Sequence, residues 1–208
     1  SASGRIAPVG QTREQALREI AGYLWAGEFG AVRQAGSLLL LQRGAPAGEN
    51  AGVLTQLFTA RHEAEELRSD FGMPNVRDPA ASAGAARVGA PTLTLRPYKD
   101  ALTFGPYATL IPGRYRVEFA LQVDDNSITE TVAGIDVSLD FGAMLPASAT
   151  LAGTDFAAAG AYQPFGLEFE TRETVENVEF RVHYYGVGRV QVDYIEVRPL
   201  ELWPPAGE

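Results

Sequence analysis

The chain has 208 residues, 46% of them apolar, enough for one sizeable core and a smaller piece beside it. With 17 basic against 26 acidic residues the formal charge is −9, which makes nucleic acid and anionic membrane surfaces poor partners. Cysteine is absent and histidine occurs twice, so disulfides, thiolate nucleophiles and zinc sites built on Cys or several His are excluded.

The first predicted element is a helix over 12–26. Thr12 and Gln15 form a capping-box pattern, and Leu17, Ile20, Ala21 and Leu24 share one apolar face, with Gly27 as the stop. Residues 29–35 and 37–43 read as two short strands around Gly36. Leu38 to Leu41 is the longest aliphatic run, far short of the ~20 residues that span a bilayer. No signal-peptide pattern and no initiator Met are present, and the expectation is a fragment or a processed product. The expected organisation is a helix and hairpin over 1–50, the tail of an upstream α/β domain or a piece docked on the main one. A linker over 51–60, a β-sandwich over 61–200 and an extended tail over 201–208 follow.

Residues 53–71 fit two templates. Val53, Leu57, Ala60, Ala64, Leu67 and Phe71 form a helical stripe, whereas a strand over 61–68 places Glu63, Glu65 and Leu67 on one face. From about residue 86 alternation dominates: Tyr115, Val117, Phe119, Leu121 and Val123, then Ile135, Val137, Leu139 and Phe141. Phe165, Leu167 and Phe169 repeat it, as do Val178, Phe180, Val182 and Tyr184. The run 190–197 is apolar on both faces, which predicts a central strand. Turn signals fall at Pro112-Gly113, at 124–127, and at Gly186 and Gly188. Short strands without helical crossovers predict an antiparallel β-sandwich.

Asp193 is a charge set inside that central run. Buried carboxylates are costly unless paired or bound to a cation, and Glu63, Glu65 and Asp193 meeting at one point would suit Ca²⁺ and its oxygen ligands. The competing reading leaves both glutamates on a solvated helix face and pairs Asp193 with an arginine. For sugar binding, aromatic platforms beside polar groups are needed, and Tyr107, Tyr162, Gln163 and Tyr185 are the candidates at loop tips and strand ends. Glycoside hydrolysis would need two carboxyls across a cleft, from Asp124, Asp125, Asp136, Asp140, Asp155 and Glu168. No Gly-x-Ser-x-Gly elbow is present, and Gly186-Val187-Gly188 leads into a strand, not the helix a phosphate loop requires.

Four fragments occur in order: Glu63-Ala64-Glu65, then 78–84 (Asp-Pro-Ala-Ala-Ser-Ala-Gly), Pro112-Gly113-Arg114-Tyr115, and Val192-Asp193-Tyr194-Ile195. This order resembles calcium-dependent carbohydrate-binding modules of the galactose-binding-like jelly-roll superfamily. The resemblance implies a structural calcium held by Glu63, Glu65, Asp193 and carbonyls of the Ser82–Gly84 loop. Ser82-Ala83-Gly84 departs from the family pattern, where a second glycine is common. The segment 38–45 loosely resembles the extracytoplasmic end of bacterial glycosyltransferase-like membrane proteins. Together these imply a non-catalytic glycan-binding accessory module, extracytoplasmic, attached to a membrane-anchored parent and facing envelope polysaccharide. A structural spacer without a sugar ligand and a polysaccharide-acting enzyme are the competing classes.

Overall fold

The structure, a computed structural model, describes residues 16, 18–20, 22, 29–35, 38–43, 55–70, 75–91 and 101–203. Of the expected helix over 12–26, residues 16, 18–20 and 22 are helical, and the rest lies outside the described residues, as do the linker signal at 44–52 and the tail beyond Trp203. Strands β1 (Phe29–Ala35) and β2 (Leu38–Arg43) pair as an antiparallel hairpin, where the sequence places them.

The remaining strands are β3 (Ala60–Glu63), β4 (Val76–Arg77), β5 (Ala85–Gly89), β6 (Ala101–Thr103), β7 (Pro106–Leu110) and β8 (Gly113–Val123). They continue with β9 (Thr131–Leu139), β10 (Met144–Ala152), β11 (Gln163–Thr171), β12 (Val175–Tyr184) and β13 (Val190–Leu202). They form two antiparallel sheets. One runs β10-β9-β12, with β6 and β7 sharing the far edge of β12; the other runs β11-β8-β13-β5-β4, with β3 also on β13. This is the expected antiparallel sandwich of jelly-roll type.

The alternation closes the core. Tyr115, Val117, Phe119, Leu121 and Val123 of β8 are all fully buried and face Ile135, Val137, Phe180 and Val182 of the opposite sheet. Each such side chain contributes about 1.5–3 kcal/mol by leaving water. Tyr115 stacks on Phe169 (5.6 Å between ring centroids) and Phe169 leans on Phe180 (6.4 Å), so one aromatic column ties the two sheets together. The Tyr115 hydroxyl, deep in that column, donates to the carbonyl of Ile111 at 2.7 Å. Strand β13 is central, as its two apolar faces predicted.

Two expectations are corrected. Neither template for 53–71 holds throughout: the strand alternative over 61–68 ends at Glu63, a helical turn at 55–58 precedes it and a turn follows at 64–66. The helical stripe had a physical basis nonetheless. Ala64 and Leu67 are buried because Arg87, itself buried, donates to the carbonyls of both and clamps that turn onto the core. The second correction concerns Phe141. The alternation places it inward after Leu139, but β9 ends at Leu139 and the chain turns there. Asp140, Phe141 and Gly142 take φ values of 48, 52 and 96°, and the Phe141 ring is 69% exposed.

Candidate functional site

The corner where β13 meets β3 and β5 contains the predicted carboxylates. One edge of β13 pairs with β5 through Val192 and with β3 from Tyr194 onward, so Asp193 sits where the two partners change over. A register shift against β8 between Val192 and Ile195 turns the Asp193 side chain into this junction. Its carboxylate accepts from the Ser82 N–H (2.9 Å) and lies 2.7 Å from the Ser82 hydroxyl, which also lies 2.8 Å from Glu63 Oε2. That hydroxyl has one proton, so it bonds one carboxylate at a time. Arg61 holds the other Glu63 oxygen at 2.8 Å. Gly84, at φ 78°, closes the loop and its carbonyl accepts from the Asp78 N–H.

Glu65 stands apart from this pair. Its Oε2 is buried without a hydrogen-bond partner, and its charge faces Arg87, whose guanidinium is pushed down by burial and partly restored by that carboxylate. Among the described residues no three acidic or histidine side chains come together as a metal-binding group. Arg87, which sequence reasoning did not single out, is the cation buried beside this corner.

The predicted aromatic residues fall on two sides. Tyr162 belongs to the six-stranded side: its hydroxyl donates to Asp78 (2.7 Å) and accepts from Gln191 (3.1 Å), and Gln191 also bonds Gln122. Burial and the Asp78 charge push the Tyr162 hydroxyl up, while the Ala80 N–H and that hydroxyl hold Asp78 below the usual carboxylate range. Gln163 is engaged at both ends, accepting from the Ala157 N–H and donating to the Asp155 carbonyl, so it fastens the 155–163 loop.

Tyr107 and Tyr185 share the outer face of the five-stranded sheet. Residues two apart on a strand point the same way, so Glu179, Arg181 and His183 of β12, with Tyr185 beyond its end, form one row beside Gly134, Asp136 and Ser138 of β9. Asp136 binds Arg181 through both oxygens (2.7 and 3.0 Å) and His183 Nε2 at 3.0 Å. A carboxylate only accepts, so His183 carries its proton on Nε2 and turns Nδ1 away from Asp136. Burial pushes the Asp136 carboxyl up, but the hydrogen bonds from His183 and Arg181 outweigh it and hold the group below its ordinary value. Asp136 is 6% exposed although it points outward. The partners that bury it lie 45 and 47 residues away, out of reach of local pattern reading.

Beside this cluster lies a cavity of about 350 Å³ lined by Gly134, Asp136, Ser148, Thr150, His183 and Tyr185. The Tyr185 ring lies over Gly134, where a Cβ would come within 3.2 Å of it. At the other end of the row, burial and a hydrogen bond with Glu179 raise the Tyr107 hydroxyl, and Arg68 sits 5.1 Å above the ring. The arrangement can offer a flat apolar ring, an ionised acceptor and several hydroxyl groups to one ligand.

No protein-family model matches the chain, and no curated protein matches it. Among solved structures, the C-terminal CBM6 of LamC, a marine laminarinase from Zobellia galactanivorans, aligns at TM-score 0.46 and 12% identity over 67% of this chain and 98% of its own. The carbohydrate-binding module CBM6cm-2 from Cellvibrio mixtus lichenase 5A, in complex with cellotriose, aligns at 0.43 and 12% over 67% and 95%. The module CBM36 in complex with calcium and xylotriose aligns at 0.40 and 11% over 66% and 98%. These likenesses leave the functional reading to the residues of the groove.

Proposed function

We propose that this chain is a non-catalytic glycan-binding module whose site is the outer face of the five-stranded sheet. The observation that carries this reading is the Tyr185 ring, its hydroxyl end packed against Gly134, beside the Asp136–His183 pair in an open cavity. A pyranose ring presents an apolar face to stack on an aromatic ring and hydroxyls that bond carboxylate, imidazole and hydroxyl groups. Binding is favoured over hydrolysis by the carboxylates themselves. Asp125 and Asp136, two of the carboxylates that hydrolysis would draw on, are held below their ordinary values, whereas a glycosidase acid needs a raised one. In this reading the module is extracytoplasmic and attached to an envelope protein.

The test is a glycan array followed by calorimetry with cellotriose and xylotriose. Binding that Tyr185→Ala weakens about tenfold, the loss of one stacked ring, supports the reading. A folded chain that binds no glycan contradicts it and favours a structural spacer.

A calcium ion is part of the proposal. Glu63, Asp193, Ser82 and the carbonyls of the Ser82–Gly84 loop (Gly84 included) would hold it, with Glu65 joining only by turning from Arg87, and the Ser82 hydroxyl shared between the Glu63 and Asp193 carboxylates supports the fit. The ion would tie β3 to β13 and take no part in sugar contact. At ~100 times its dissociation constant, calcium adds about 2.7 kcal/mol to stability. Tm should therefore rise by several degrees on adding calcium and fall on chelation, and Asp193→Ala should erase the response. Identical melting curves would mean that Arg61 and Arg87 balance the carboxylates without a cation.

A further inference from the structure

Four non-glycine residues among those described have positive φ, and three of them gather at one spot: Tyr107 (67°), Asp140 (48°) and Phe141 (52°). Such conformations are unfavourable for L-residues and persist where the surroundings hold them, often at ligand clamps. The turn spends this strain on exposing an aromatic ring that strand alternation would have buried. Phe141 lies 6.4 Å from Tyr107, centroid to centroid, and Met144 and Leu145 beside it are also at least half exposed. The turn is continuous with the groove: a Cβ on Gly142 would lie 3.4 Å from the guanidinium of Arg181, which grips Asp136.

We infer that the Asp140–Gly142 turn is a binding lip, with Phe141 and Tyr107 forming a second apolar platform for a glycan lying along the β12 row. This rests on the glycan-binding reading above. Tyr185 and Glu179 are six residues apart, so the two platforms are separated by about 20 Å of strand. One sugar cannot touch both; a chain of several can. The lip therefore selects for chain length, and its removal penalises long ligands more than short ones.

The strain separates a binding role from a packing role. Phe141→Gly removes the ring and relieves the left-handed conformation, so Tm should hold or rise by about 2 °C. Affinity for xylohexaose or cellohexaose should fall about tenfold, affinity for the matching triose should change less than twofold, and Phe141→Trp should restore the hexaose affinity. Native protein that binds neither hexaose overturns the lip together with the glycan reading. Hexaose binding that Tyr185→Ala weakens and Phe141→Gly leaves unchanged overturns the lip alone. A native dimer that Phe141→Gly dissociates, with hexaose affinity intact, would make the turn a contact between copies and also overturn it.

Discussion

The two outer faces of this sandwich are built from the same kind of alternating strand and come out differently. On the six-stranded sheet, Arg116 pairs with Glu118 (2.7 Å) and Glu168 (3.6 Å), Arg198 reaches Glu118 (3.6 Å), and Arg61 covers Tyr194 (3.5 Å). Most of these groups are a quarter or more exposed, and water screens them. On the five-stranded sheet, Asp136, Ser138 and Glu179 point outward yet are buried beneath Arg181, His183 and Tyr107. Each face packs a side chain against a bare glycine: the Arg116 guanidinium over Gly166, the hydroxyl end of the Tyr185 ring against Gly134. One face is a self-satisfied mesh of charges. The other holds polar groups out of water in a geometry suited to a ligand.

The largest expected contrast is in stability. Asp136→Ala strips a mostly buried partner from Arg181 and His183 and should cost about 3 kcal/mol in denaturant unfolding. Glu118→Ala, which removes screened pairs, should cost no more than about 1 kcal/mol. Equal costs would erase the distinction between the faces.

The next contrast is in binding. Gly134→Val should push the Tyr185 ring off its seat and weaken xylohexaose or cellohexaose about tenfold. Gly166→Val should displace only the mobile end of Arg116 and leave affinity unchanged. Calorimetry on the two variants separates them, and a matching loss in both would move the site away from the five-stranded sheet.

The smallest effect is in acid. The folded Asp136 carboxyl sits below its unfolded value of about 3.9. Its contribution to stability is therefore complete above that pH and is lost as pH falls through the lower folded value. Tm measured from pH 5 to pH 2 should drop less steeply in Asp136→Asn than in the native chain. Parallel curves would mean that Arg181 and His183 do not hold the carboxylate charged.

Much of the sandwich was legible because burial and alternation coincide. Strand β8 shows every predicted inward residue fully buried, and β13 was recognisable as central from its two apolar faces. Strand β10 left no such trace, since its inward positions include Ala147 and Ala149, too small to stand out against Ser148 and Thr150. Phe141 misled because alternation ignores backbone handedness; the Asp140-Phe141-Gly142 sequence was the turn signal to weigh against it. Motif order pointed to Glu63, Ser82 and Asp193 as neighbours, and Ser82 lies within hydrogen-bond distance of both carboxylates, while Glu65 went with Arg87, a residue whose burial depends on the fold of the 64–67 turn. Tyr185 was picked out beside Gly186, but its groove is made by β9 and β10, which lie near it only after folding.

The central claim is that a glycan lies on the outer face of the five-stranded sheet, and its most direct test is residue-by-residue mapping by NMR. ¹⁵N-labelled protein titrated with xylohexaose and, separately, cellohexaose should show amide shifts at Gly134, Asp136, Thr150, His183 and Tyr185, extending to Phe141 and Gly142. Glu118, Arg198 and Glu168 on the opposite face should stay still. Shifts confined to the Ser82–Gly84 and 155–163 loops, or no shifts with either sugar in a folded protein, would contradict the account.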